Sequence, residues 1–388
     1  MKRFLLVAAI SLCTLVPAHG QHFVVDADKV LSVNMLTSDV GPFTSSLKKR
    51  ALAFSWTKDI TDFQKAAIIR VHMTIKVRLT AGSCTLHISG PAGDVGSLTC
   101  NQLRHLTSYW SHPIAGNRAV ITISASSAEV ITIVVDKLAY AVQPARPESL
   151  VALSPLRSIT QAIVPARWKS VAPAVAMLEY IKGGQKGVTC TAFLVTPSIV
   201  MTNNHCVSDN SVMDSLVAVF DYNDASSKTS VVSATEVIVT DVVLDYSLIR
   251  LDRGMSDRTP LKMAASMPLS DHFKLAIIQH PGSEPKQIAY ENCFVRPSVT
   301  DGRVPGSKVD FGHLCSTLGG SSGSPVFDAS SVDSVTVVGL HHLGFDDKAV
   351  PPIMINQGIY MKLILCDIRT KSPTVADEID STAVACAR

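Results

Sequence analysis

A serine hydroxyl framed by glycines, in Gly320-Ser321-Ser322-Gly323-Ser324-Pro325, is where residue type and spacing in this chain most directly allow chemistry. Glycines let a backbone turn tightly and approach a substrate, which suits a nucleophile. A serine at its free pKa attacks poorly, however. The loop acquires acyl-transfer chemistry only if a histidine base and an orienting carboxylate stand elsewhere in the chain.

Two arrangements can be written around this loop. Gly319-Gly320-Ser321-Ser322-Gly323 fits a Gly-x-Ser-x-Gly elbow with Ser321 as nucleophile, which needs a strand-turn-helix scaffold and an acid and histidine following the serine. Pro325 disfavours a regular helix there, only His341 and His342 lie downstream, and the intervening sequence leaves no room for a βαβ unit. That arrangement is set aside. In the opposite order, histidine and aspartate precede the serine. The apolar run Ile199 to Met201 leads to Asn203-Asn204-His205-Cys206, and Asp245 stands immediately before the alternating run Tyr246 to Leu251. Among His205, His272, His280, His313, His341 and His342, only His205 combines a preceding strand with flanking cysteines. Asp241, four residues before Asp245, is a competing acid.

The segment from Cys190 to Val207, the stretch from Leu244 to Leu251 and the serine loop resemble, in the same order, the three catalytic segments of the chymotrypsin-like serine peptidases. The resemblance runs from Val175 to about Ile368. With His280-Pro281-Gly282, the serine loop is most similar to secreted bacterial glutamyl (V8-like) and lysyl endopeptidases. The resemblance implies two six-stranded β-barrels with the site in the cleft between them. It implies Ser322 as nucleophile, His205 as general base and acid, Asp245 as orienter, and the N–H groups of Gly320 and Ser322 as oxyanion hole. Activity is then expected to fall as pH drops through about 6 to 7, where the histidine protonates. Ser321 replaces the aspartate that trypsin-type enzymes carry before the nucleophile, so activation by a newly cleaved amino terminus is not expected. Ser316, Thr317 and His341 fall at the specificity pocket and suggest an acidic P1 side chain, with Asp346 or Asp347 and a basic P1 as the competing reading. The alternative function is a non-catalytic binding protein on a peptidase scaffold.

The elements that must position these residues are strands. Short β-branched runs, Ala192 to Val195, Ile199 to Thr202, Leu216 to Phe220, Val231 to Val239, Ser247 to Leu251, Leu275 to Gln279 and Val335 to Leu340, recur with no helical periodicity between them. A similar texture from Phe23 to Val142 predicts a β-sandwich-like N-terminal domain, a candidate pro-segment or binding module. The fold class is therefore all-β, a chymotrypsin-like double β-barrel preceded by that domain. Residues 1–20 read as a signal peptide: Lys2 and Arg3, an apolar run from Phe4 to Val16, and Ala18-His19-Gly20 before Gln21. Residues 21–142 are the N-terminal domain, 143–174 a proline-rich exposed linker, 175–368 the peptidase domain and 369–388 a tail.

Eight cysteines remain after Cys13, an even number that in an exported chain favours disulfides. Sequence neighbours pair plausibly as 84 with 100, 190 with 206, 293 with 315, and 366 with 386, although spacing alone leaves connectivity open. No metal-ligand spacing occurs, so neither a metal nor an organic cofactor is expected. The formal charge of +3 becomes +1 without Lys2 and Arg3, too small a field to attract nucleic acid. After the first twenty residues no long charge-free apolar run follows, so stable membrane insertion is not expected. Protein or peptide substrates in an extracellular or periplasmic setting are the implied partners.

Overall fold

Val175–Lys182 is the strand on which the first barrel closes. In the computed structural model the described residues are 68–78, 84–91, 93–104, 106–125, 154–182, 186–224, 227–264, 269–331, 334–344 and 355–379, with Cys386 and the backbone of 22–26, 33–34, 52–59 and 130–142. Val175–Lys182 pairs antiparallel with both Val217–Phe220 and Lys186–Thr196. The circuit continues through Ser230–Asp241, Tyr246–Leu251 and Ile199–Thr202 before returning to Lys186–Thr196. Six strands thus form a closed cycle, which removes unpaired edges within it. Apolar and aromatic side chains of these strands fill the interior, with Leu178, Tyr180, Phe193, Val200, Phe220 and Leu248 all buried.

A second antiparallel sheet follows the order Gln287–Ala289, Leu275–Gln279, Pro325–Asp328, Val337–Leu343, Asn356–Tyr360 and Asp310–His313. Its two ends are bridged by an irregular segment in which Phe294 pairs with Lys274, Val295 with His313 and Thr300 with Asp310. The helix Met361–Lys371 lies on this barrel through Met361, Ile364, Leu365 and Ile368, an i, i+3, i+4, i+7 apolar stripe. The double-barrel expectation is met.

Upstream, strands Ile68–Arg78 and Val130–Val142 join the first barrel's sheet by way of His22–Asp26, whose Val24 pairs with Lys186. A separate four-stranded sheet holds Leu52–Asp59, Arg118–Ala125, Cys84–Gly90 and Gly93–Thr99. There Leu86 and Ile88 face inward opposite Ile123 and Ile121, the period-two burial that the sequence predicts.

Two boundaries differ from the sequence expectation. Of the expected linker 143–174, residues 143–153 lie outside the described residues, and 154–174 are not an exposed connection. Arg157–Ser158 adds a short strand to the second barrel by pairing with Gln287–Ala289. The helix Ala166–Val171 buries Trp168 completely against Phe327. The prolines that suggested a linker serve here at helix starts, Pro165 as N-cap and Pro173 in the first turn of Ala172–Ala174, where a fixed φ and a missing N–H cost little. Similarly, the expected tail from 369 begins inside the helix Met361–Lys371, and Pro373–Glu378 buries Val375 and Ala376. Apolar side chains at helical spacing carry both segments into the core.

The four expected cysteine pairs are formed: Cys84–Cys100, Cys190–Cys206, Cys293–Cys315 and Cys366–Cys386. The expected signal peptide, residues 1–20, lies outside the described residues. Among the described residues no helix is long and apolar enough to cross a membrane.

Candidate active site

Ile199–Thr202 is buried throughout and leads directly into Asn203-Asn204-His205-Cys206, where the bridge from Cys206 to Cys190 ties the loop back to the neighbouring strand. His205 is doubly bound to Asp245: its backbone N–H donates to Oδ1 at 2.8 Å and its Nδ1 lies 2.8 Å from Oδ2. An ionised carboxylate only accepts, so Nδ1 carries the proton and Nε2 of the neutral ring is the free basic nitrogen. Asp245 occupies a positive φ of 40° just before Tyr246–Leu251, a conformation uncommon for a residue with a side chain. Asn203 Nδ2 holds that turn by donating to the Asp245 carbonyl at 2.9 Å.

The competing acid is engaged elsewhere. Asp241 Oδ1 accepts the N–H groups of Val243 and Leu244, and its Oδ2 pairs with Lys371 Nζ at 2.6 Å. It caps the turn that presents Asp245.

The serine loop belongs to the second barrel but is clamped by the first. Thr191 N–H donates to the Ser322 carbonyl at 2.7 Å, and Thr191 Oγ1 donates to the Gly320 carbonyl at 2.9 Å. Gly320 and Gly323 have φ of 95° and 86°, which only glycine adopts without strain. A Cβ on Gly320 would lie 2.8 Å from the His280 carbonyl. Within the loop, Ser321 N–H donates to Leu318 O and Gly323 N–H to His341 O, while among the described residues no hydrogen bond engages the N–H of Gly320 or Ser322. Those two donors are the ones expected for an oxyanion hole. Among the described residues Ser322 Oγ and His205 are likewise not hydrogen-bonded to each other. Such contacts commonly tighten only with substrate bound.

Burial pushes Asp245 toward protonation, but hydrogen bonds from His205 and His342 more than offset it and hold the carboxyl well below the usual range. For His205, burial lowers the ring's pKa below its ordinary 6.5; Asp245 opposes this, and Arg303 and His342 add to it. The last two groups carry no signal in the sequence reading. Arg303 Nε lies 2.6 Å from Asp245 Oδ2, and His342 Nδ1 lies 3.0 Å from the same oxygen while its Nε2 bonds Asp310. The His341-His342 doublet on Val337–Leu343 held a clue, since adjacent strand residues face opposite sides and cannot both line one pocket.

The expected pocket residues Ser316, Thr317 and His341 are all buried. Gln279 Nε2 donates to the Ser316 carbonyl at 2.9 Å, and among the described residues the Thr317 hydroxyl has no partner. His341 Nδ1 lies 3.1 Å from His313 Nε2, whose Nδ1 accepts the Cys315 N–H. Asp346 and Asp347 lie outside the described residues. Among the described residues no group of three or more His, Cys, Asp or Glu is arranged to hold a metal ion.

Residues 190–340 match the family model of the trypsin-like peptidase domain, an interval that contains His205, Asp245 and Ser322. Among curated proteins, the chain is 29% identical over 181 residues to Secreted RxLR effector protein 73 of Plasmopara viticola, covering 42% of this chain and 43% of that protein. It is 30% identical over 177 residues to Uncharacterized protein y4fB of Sinorhizobium fredii, covering 41% of this chain and 26% of that protein. The chain thus spans less than half the length of these relatives. Solved structures similar to it include the active form of the Rv3671c protease from M. tuberculosis, at 18% identity, 63% of this chain, 96% of that chain and a TM-score of 0.38. Deg5 matches at 13% identity, 51% of this chain, 88% of that chain and a TM-score of 0.36. The two antiparallel barrels and the matched interval together make this the trypsin-like serine peptidase fold.

Proposed function

We propose that the chain is a secreted serine endopeptidase in which Ser322, His205 and Asp245 hydrolyse peptide bonds through an acyl-enzyme. The double hydrogen bond from His205 to one buried carboxylate carries the reading, because it leaves Nε2 as the base. Ser322 Oγ attacks the scissile carbonyl carbon and gives its proton to Nε2. The resulting oxyanion meets the N–H groups of Gly320 and Ser322. Collapse breaks the C–N bond, and the leaving amine takes the proton back from His205. Water then repeats the sequence on the ester, releasing the acid and restoring Ser322. Four disulfides suit an oxidising, exported setting.

An acidic P1 preference is supported by the residue types at the expected pocket. Cys315 N–H donates to His313 Nδ1, and His341 Nδ1 lies 3.1 Å from both His313 Nε2 and the Gln357 carbonyl. Burial keeps His341 neutral, so it brings no fixed charge to the expected pocket, and the Thr317 hydroxyl, unpartnered among the described residues, is able to donate to a carboxylate. Labelling with a fluorophosphonate tests the nucleophile: wild type reacts and Ser322→Ala does not. Absence of reaction in both selects the binding-protein alternative. A peptide panel varying only P1 tests specificity, with preference for Lys or Arg rejecting the acidic reading.

A further inference from the structure

We infer that Arg303 and His342 are positioning residues of this catalytic site, two cationic donors that fix the Asp245 carboxylate and offset its charge toward His205. The inference rests on the triad assignment proposed above. Asp245 Oδ2 receives three donors, His205 Nδ1 at 2.8 Å, Arg303 Nε at 2.6 Å and His342 Nδ1 at 3.0 Å. They arrive from three separate elements: the loop after Ile199–Thr202, the loop before Asp310–His313, and the strand Val337–Leu343.

His342 is entirely buried with a carboxylate at each ring nitrogen, Asp245 at Nδ1 and Asp310 at Nε2. Carboxylates have no proton to offer, so both nitrogens donate and the ring is an imidazolium. Reoriented, the Gln357 amide also donates to Asp310 Oδ2 at 2.8 Å. Burial opposes the charge on His342, but Asp310 and Asp245 outweigh it and raise its pKa. Asp245 and Asp310 against Arg303 and His342 make a group with no net charge when His205 is neutral. The approach of the Arg303 loop is set by Gly302, where a Cβ would lie 2.8 Å from Asp310 Oδ1.

The chemical consequence follows from Coulomb's law. An aspartate that faces neutral donors gives its whole charge to a protonating histidine; here two cations share the same oxygen. His205 is therefore a weaker base that stays unprotonated to lower pH, while its geometry is held by donors that do not depend on substrate. His341, on the other side of the same strand beside His313, is held neutral by burial and adds no charge.

Two measurements test this. In Ser322→Ala, ¹⁵N NMR titration of the imidazoles is expected to find His342 protonated on both nitrogens at pH 7. Arg303→Gln, which changes a side chain already 37% exposed, is expected to raise the His205 pKa by about one unit. In the active enzyme the acid limb of kcat/KM should move upward by the same amount, about a tenfold loss of activity below it. The paired change H342N/D310N, which removes both buried charges together, should shift the limb in the same direction. An unshifted His205 in Arg303→Gln, or a singly protonated His342 at pH 7, overturns the inference. The NMR arm needs no turnover. The expected shifts with no fluorophosphonate labelling of wild type would reject the peptidase reading and not the charge network.

Discussion

Arg70, on a strand of the N-terminal region, is buried against Glu179 of the first barrel, with Nη1 3.2 Å from Oε1 and neither side chain more than 1% exposed. Arg70 Nη2 also donates to the Ser215 carbonyl at 2.6 Å and Nε to the Ser111 carbonyl at 2.8 Å. One guanidinium thereby joins the N-terminal strands to two elements of the barrel that carries His205 and Asp245.

Breaking that pair from one side leaves a buried charge uncompensated. Arg70→Met is expected to destabilise by about 3–5 kcal/mol, whereas R70M/E179L, which replaces both by apolar side chains, should recover most of the loss. Urea unfolding of the three proteins measures it. Burial raises Glu179 to about 7, opposed by Arg70. A folded-state pKa above the unfolded value near 4.5 means the native state binds more protons between those values, so wild-type stability falls as pH rises from about 4.5 to 7. Glu179→Gln should remove that slope.

Asp245→Asn keeps the size of the proposed orienter but lets its amide present a donor toward Nδ1, which favours the wrong tautomer of His205. A fall in kcat of about 10³- to 10⁴-fold with little change in KM is expected from steady-state peptide hydrolysis. Asp241→Asn, at a residue that caps the turn and pairs with Lys371, should lose far less activity.

The pH profile separates the local sequence from its surroundings. Burial, Arg303 and His342 lower His205 against the pull of Asp245, so the acid limb of kcat/KM should lie below 6.5, lower than the 6 to 7 expected from an ordinary histidine. Activity rises with pH through that limb as the ring loses its proton. A limb centred at 7 or above would contradict this balance.

Gly323→Ala places a Cβ well inside contact distance of the Thr191 carbonyl, at a φ that side chains rarely adopt. The Ser322 N–H is then displaced, and a loss of about 3 kcal/mol of transition-state stabilisation, more than a hundredfold in kcat, is expected from kinetics on protein whose circular dichroism is native. Gly254→Ala, with nothing within 4 Å of the added carbon, is the matched neutral control.

Much of the site is legible locally. Glycine at 320 and 323 announces a backbone with positive φ, and Ile199 to Thr202 announces a buried strand ending at His205. The prolines of 155–173 misled because a proline at the first turn of a helix and one in an exposed linker read alike. Trp168 was the better signal, since so large an apolar side chain is rarely left in solvent.

The sequence by itself determined the glycine-framed serine loop, the buried strand that leads to His205 and the strand periodicity, because each depends on residues adjacent in the chain: φ at a glycine, alternation along a strand, a cysteine beside a histidine. Only the tertiary structure decided which carboxylate lies against His205 and what else touches it. Asp241 and Asp245 have similar local settings, and the choice between them is made by where His205 lies across the barrel. Arg303 and His342 reach the same oxygen from 58 and 97 residues away, distances at which nothing short of the folded barrels specifies contact.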